Sequence, residues 1–433
     1  MKEETIKHKT VKYQYRNREL SWLQFNARVL QEAEDVSVPL IERLRFIGIF
    51  SNNLDEFFKV RYATIKRIND AGKGGRSFLG GYSAKELMEE ITQTVISQQR
   101  NSLKVLAEIN KQLEKENIFI IDETEVTPSQ GEFISDYFIS KVSPALVTIM
   151  ISELDKFPSL KDTAAYLAVK MVISNEDASL DSKKLYALIE IPRSVERFVV
   201  LPREGDKQYI IILDDLIRYC LHNLFNIFKY ERISAHMIKI SRDAELDIDS
   251  DLSRSFIDKI SKSVKERSKG DPVRFVYDKS IDSATLQFLL DKMGINNTDS
   301  IIPGGRYHNR RDYMDFPSLG RNDLQYEPKT PVPIAGLSLE GSLLDKIAKK
   351  DYLLHAPYQT FSYIIKFLRE AALDPKVKTI KITIYRLAQL SHISSSLINA
   401  AKNGKDVTVQ IELRARFDEE ANIRYAEQMQ SEG

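Results

Sequence analysis

The sequence predicts a multidomain α+β protein, and three observations carry that prediction. A chain of 433 residues exceeds what one hydrophobic core organises, so two to four domains are expected. Apolar spacing is helical up to about Glu116, then gives way to β-branched or alternating runs of strand length, flanked by helices. From about Thr330 the order becomes strand, helix, strand, which implies parallel pairing. These shifts set the expected domains at 1–116 (helical), 117–330 (α+β, with a mainly antiparallel sheet) and 331–433 (the first part of an α/β domain).

Composition narrows the function classes. Hydrophobic residues make up 42% and charged residues 29%, as in an ordinary soluble globular protein. Lysine and arginine number 63 against 62 acidic residues, a net charge of +1. No global field therefore recruits a polyanion such as nucleic acid, and any anion site must arise by local clustering. The single cysteine, Cys220, excludes an internal disulfide and reads as a buried, inert thiol in a reducing compartment. The charged first residues lack a signal-peptide core, and no apolar run is long enough to span a bilayer. The expected location is the cytoplasm, with peripheral membrane contact compatible.

In the first domain, SWLQFNARVLQEAED carries helical apolar spacing. Ser37 is expected to cap the next helix, with Pro39 in its first turn. In SNNLDEFFKVR, Asn53 and Glu56 have the spacing of a capping box. A Gly-rich break from Ala71 to Tyr82 precedes a long helix from Ala84 to about Glu116. In the second domain, strands are expected at Tyr166–Ser174, Lys184–Pro192, Arg197–Pro202, Gln208–Leu213, His236–Ser241 and Pro272–Tyr277. Helices are expected at Ser129–Ile139, Leu213–Phe228 and Ser250–Ser268. In the third, Asp351–Leu354 reads as a short strand and Gln359–Ala372 as an amphipathic helix. The strands Lys378–Tyr385 and Val407–Leu413 flank a helix opened by Ser394 to Ser396 and closed at Asn403-Gly404. Glu419–Ser431 is helical. With three strands counted, this α/β segment has fewer than a covered parallel sheet normally holds, so the sequence reads as part of a longer protein.

The stretch from Lys378 to Glu420 carries the strongest chemical signal. Each of its strands ends beside an arginine, Arg386 directly and Arg416 after a short link. Parallel sheets place ligands beyond the carboxyl ends of their strands. Two guanidiniums there suit a phosphate-rich anion, because each is a rigid fork of donors with permanent charge. The alternative is a surface pair balanced by Asp418, Glu419 and Glu420. For Asn53 two readings stay open, a helix cap or an amide hydrogen-bonded to a nucleotide. Two also stay open for Gly304, Gly305, Arg306, His308, Arg310 and Arg311: an anion-binding loop or a basic surface turn. The acidic run Asp243–Asp251 lacks the glycine and glutamate of an EF-hand. No Walker A, GxGxxG, CxxC, HExxH or GxSxG pattern occurs.

The stretches NRELSWLQFNARVLQEAED, PLIERLRFIGIFSNNLDEFFKVR, DPVRFVY, SIIPGGRYHN, KITIYR and ELRARFDEEANI, taken in order, resemble successive signatures of the bacterial polyphosphate kinase family of the phosphohistidine type. The resemblance runs from near Glu19 to Gly433. It implies a helical N-terminal domain, a head domain used in dimerisation, and an incomplete domain of phospholipase D-like fold. It further implies reversible transfer of the terminal phosphate of ATP to inorganic polyphosphate, with Mg²⁺, in a homodimer or higher homo-oligomer. By motif, Asn53 corresponds to an ATP-binding position, and Arg386 and Arg416 to positions associated with magnesium and phosphate. Guanidinium has no free lone pair, so any link to Mg²⁺ runs through phosphate oxygens. The family's phosphorylated histidine is expected beyond Gly433, and none of the six histidines sits in its motif context. The alternative expectation is a non-catalytic nucleotide- or polyphosphate-binding and dimerisation fragment. A phospholipase D-like hydrolase is disfavoured by the missing HxK signature.

Overall fold

The computed structural model describes residues 16–71, 79–154, 157–161, 164–173, 183–242, 272–295, 301–307, 309–388, 390–416 and 418–433. The expected helix at Ser250–Ser268, the acidic run Asp243–Asp251, His308 and most of the Gly-rich break lie outside these residues. The chain divides into two compact units: Met1–Glu245 with Ser268–Tyr326, and Leu246–Arg267 with Glu327–Gly433.

The first unit opens with helices α1 (Arg18–Glu34) and α2 (Leu40–Phe57). The Asn17 side chain caps α1 by accepting from the Glu19 and Leu20 amides. Ser37 does not cap α2: Pro39 holds the cap position without a side-chain bond, and the Ser37 amide donates to Asp35. Nor is there a capping box at Asn53 and Glu56, because α2 runs straight through SNN. It continues through a π turn (Phe58–Tyr62) into α3 (Ala63–Asp70). The long α4 (Ala84–Lys115) starts on a capping box made by Ser83 and Glu86. Leu30, Ile41, Leu44, Ile47 and Ile109 form a core shared with Phe198, Ile210 and Ile212. Gly48 is needed where α2 meets the 3₁₀ turn Arg310–Asp315. A Cβ there would lie 2.6 Å from the Met314 amide nitrogen.

Two sheets follow. Strands β1 (Ile118–Ile121), β2 (Val147–Met150), β3 (Tyr166–Ile173), β4 (Lys184–Glu190), β5 (Phe198–Val200) and β6 (Gln208–Ile212) come first. They are joined by β7 (Tyr230–Arg242), β8 (Pro272–Asp278) and β9 (Ile301–Gly304). One sheet has the order β1-β6-β5 and the other β2-β4-β3-β7-β8-β9. Pairing is antiparallel except at β1–β6 and β8–β9, in line with the expected mainly antiparallel sheet. The short strands β1, β2 and β9 were not expected. Helix α5 (Pro128–Tyr137) precedes β2. The single helix expected at 213–228 is broken into α6 (Leu213–Tyr219) and α7 (Leu221–Leu224), because the backbone leaves helical values at Cys220. Burial pushes that thiol up to about 12, which fits an inert core cysteine. Helix α8 (Ser283–Met293) follows β8.

The second unit holds α9 (Leu343–Ile347), α10 (Ser362–Leu373), β10 (Thr379–Ile384), α11 (His392–Lys402), β11 (Asp406–Ile411) and α12 (Glu419–Ser431). Strands β10 and β11 pair in parallel, from Thr379 opposite Asp406 to Ile384 opposite Ile411. The strand expected at Asp351–Leu354 is a loop with Leu353 88% exposed, so apolar character there reflects no ladder. The cap of α11 is Ser391 rather than Ser394 to Ser396, its side chain accepting from the Ser394 amide. Gly404, at φ +74°, ends the turn after α11. Ile380, Ile384, Leu397, Ala400, Leu368 and Ala372 form this unit's core. Among the described residues, no helix is long and apolar enough to cross a membrane.

Candidate functional site

Parallel pairing brings the carboxyl ends of β10 and β11 side by side, and the polar side chains of α12 hold them there. Asn422, in the first turn of α12, is fully buried. Its Nδ2 donates to the Tyr385 carbonyl at 2.9 Å and to the Glu412 carbonyl at 2.8 Å. One amide thus ties both strand ends. One turn on, the Tyr425 hydroxyl donates to the Ala388 carbonyl (3.1 Å) and accepts from the Ser391 amide (3.0 Å). Satisfying buried carbonyls in this way fixes the loops leaving the sheet.

The two expected arginines meet on that frame. Arg386 Nη2 donates to the Arg416 carbonyl at 3.3 Å, and Nη1 pairs with Asp418 Oδ2 at 3.0 Å. The Arg386 side chain is 54% exposed, so this pair is worth at most about 1 kcal/mol and yields readily to a competing anion. Arg416 is exposed, and its guanidinium has no hydrogen-bond or ion-pair partner among the described residues. The arrangement offers an incoming oxyanion one free guanidinium and one held lightly.

It does not offer a metal-binding donor set. Asp418 is engaged by Arg386, and no cluster of three or more His, Cys, Asp or Glu side chains suits a metal among the described residues. Guanidinium cannot ligate a cation. Magnesium fits this site only as the companion of a phosphate substrate.

Asn53 lies in the first unit, inside α2. Its Nδ2 donates to Asn26 Oδ1 at 3.1 Å, while the buried Asn26 donates to the Phe50 carbonyl at 3.1 Å. Asn53 is therefore neither a cap nor at a helix N-terminus. The structure brings Arg386 and Arg416 together; Asn53 belongs to the other unit.

The GGRYHNRR stretch splits. Arg306 is engaged by Asp215 at 2.9 Å and by Glu123, and Tyr307 also donates to Asp215 at 2.6 Å. Burial raises the Asp215 carboxyl, against the pull of Arg218 and Arg306. That is an internal brace. Arg310 is different: it is 8% exposed, and its guanidinium donates to the Ser102 hydroxyl at 3.0 Å with no carboxylate partner among the described residues. Beside it, Asp55 accepts from Lys239 at 2.5 Å and from Arg274 at 3.1 Å. Sequence reasoning passed over Asp55, Lys239, Arg274 and Asn422. The available signal was a charged or amide residue set within an otherwise apolar run, as in MIKIS, VRFVY and ANIRY.

Three family models match the chain in succession: the polyphosphate kinase N-terminal domain over residues 15–121, its middle domain over 129–316 and its C-terminal domain 1 over 342–433. The polyphosphate kinase of Vibrio parahaemolyticus is 41% identical over 426 residues, covering 97% of this chain and 60% of the relative. That of Escherichia coli K12 is 40% identical over 428 residues, again covering 97% and 60%. The crystal structure of polyphosphate kinase from Porphyromonas gingivalis superposes with a TM-score of 0.75 at 31% identity, covering 98% of this chain and 59% of that one. The chain spans about 60% of the length of the curated relatives it matches.

Proposed function

Because this chain belongs to the polyphosphate kinase family, we propose that it serves the reversible transfer of the terminal phosphate of ATP to inorganic polyphosphate. The observation that carries the reading is the meeting of Arg386 and Arg416 at the adjacent ends of two parallel strands. In phosphoryl transfer, charge accumulates on the equatorial oxygens, and catalysis rests on positioned cations that need no reorganisation. Arg416 supplies an unengaged fork; Arg386 supplies a second once a phosphate oxygen displaces Asp418. Magnesium would arrive with the nucleotide and neutralise its phosphates. Among the described residues, no histidine contacts either arginine. The part assigned to this chain is therefore to hold and neutralise phosphate, with the phosphohistidine route belonging to the family reading. Asn53 is assigned to ATP through its Oδ1, since its Nδ2 is engaged by Asn26. Homodimerisation through residues 117–330 and a cytoplasmic location complete the proposal.

Calorimetric titration of the chain with Mg-ATP and with polyphosphate tests it. Binding of polyphosphate that weakens about tenfold or more in Arg386→Gln and Arg416→Gln is the expected result, each losing a charge-assisted contact. Equal affinity in wild type and both variants would remove the arginines from the reading.

A further inference from the structure

In the first unit, α2, α4 and strands β7 to β9 surround a narrow cavity whose wall includes Ser51, Asp55, Gln99, Lys239, Arg274 and Arg310. Charge on this wall does not balance. Asp55 is the single carboxylate lining it, and it already holds both Lys239 and Arg274. Arg310 has no carboxylate at all among the described residues. The Nε of Arg274, a residue 4% exposed, is buried without an acceptor. Three buried cations thus face one anion, where each charge withdrawn from water costs several kcal/mol unless it is compensated. Burial lowers the affinity of Arg310 for its proton; Tyr313 opposes this and the charge of Arg274 adds to it. Burial also lowers Lys239, against the pull of Asp55.

We propose that this cavity binds one small inorganic anion, of the phosphate or chloride kind, as the counter-charge its wall lacks. The unused Nε of Arg274, the guanidinium of Arg310 and the ammonium of Lys239 supply the charged donors, and Ser51 and Gln99 add neutral ones. Space between the side chains admits a group of only a few atoms, which excludes a nucleotide. The bound anion would join the α2 and α4 helices to the six-stranded sheet and to the 3₁₀ turn that carries Arg310. This inference stands apart from the phosphoryl-transfer reading, since none of its residues lies in the second unit.

The test uses the whole chain carrying Arg386→Gln and Arg416→Gln, so that phosphate binding in the second unit is not read. In a buffer whose only anion is a bulky organic sulfonate, inorganic phosphate and chloride are titrated in separate arms, by calorimetry and by thermal unfolding. One equivalent should bind, with Tm rising as the anion saturates. Gln99→Glu places a tethered carboxylate on the wall; it should raise Tm without added anion and weaken binding about tenfold or more. Arg310→Gln should weaken binding to a similar degree. Saturation by either anion supports the site and identifies its occupant. Flat titrations with both anions, or binding unchanged in Gln99→Glu, overturn it, whether or not Arg310→Gln folds.

Discussion

Asp55 is outnumbered where it sits. Burial pushes its carboxyl up, but Lys239 and Arg274 outweigh burial and hold it below the usual range. Replacing it by asparagine would leave two buried cations without their partner, at a cost of about 3–5 kcal/mol. Urea unfolding of Asp55→Asn measures this directly; a loss below about 1 kcal/mol would mean that water already screens the pair. His236 makes a prediction of the opposite kind. Burial lowers its proton affinity below the ordinary 6.5, Asp278 opposing and Arg218 adding to the effect, and its Nδ1 is buried without a partner. The unfolded chain therefore takes up the proton first as pH falls. The stabilising contribution is complete above pH 6.5 and is lost as pH falls below it towards the folded value. His236→Gln should flatten the fall in stability between about pH 7 and pH 5, as followed by unfolding at fixed pH. Residue types alone did not separate Arg306 from Arg310, four positions apart in one basic loop. What distinguishes them is that Asp215 and Glu123 reach the first while only a serine hydroxyl reaches the second, and those partners come from remote parts of the chain.

Elements show the same division between local and remote causes. Helices α1, α4 and α12 were legible because their apolar period and end residues are local, and the βαβ unit was legible because strand, helix and turn signals follow one another. The short strands β1, β2 and β9 were not, since a run of four residues becomes a strand only when a distant partner offers its edge. The reading of Asn53 as a cap failed because polar residues within α2 looked like a boundary, whereas Asn26 and Glu56 accept from their amides along the helix face. Of the candidate site, the two arginines were legible from strand-end placement, but the clamp that positions them was not. Asn422→Ala would remove both hydrogen bonds to the Tyr385 and Glu412 carbonyls. It should lower stability by about 1–3 kcal/mol and weaken polyphosphate binding even with both arginines intact. Asn422→Ala that loses stability but binds normally would make the residue a purely structural tie. Gly48→Ala should cost about 1–3 kcal/mol by overpacking against Met314, with a lowered Tm as the readout.

At the scale of the molecule, the near-neutral balance of charge acquires a meaning that composition alone did not have. Cations concentrate at two places, the exposed strand ends of the second unit and the closed cavity of the first, while the remaining surface is mixed. Anion binding by this protein should therefore respond to local substitution more than to overall charge, and salt should screen the exposed arginines far more than the buried cluster. Raising ionic strength from about 0.05 to 0.5 M is expected to weaken polyphosphate binding severalfold while leaving the small-anion site nearly unchanged. The proposed self-association is tested by sedimentation, where a dimer would run at about twice the 49.8 kDa chain mass.

The π turn at Phe58–Tyr62 bears on how this chain can change over generations. A turn wound to i→i+5 accommodates an extra residue within an otherwise continuous helix. Deleting one residue there would restore regular winding but rotate everything that follows by about 100°. Ile65, now in the core, would swing outwards and exposed Thr64 inwards. Length in this segment is thus under selection as strict as that on any side chain. A lineage that lost the extra residue would have had to repack α3 against α4 at the same step.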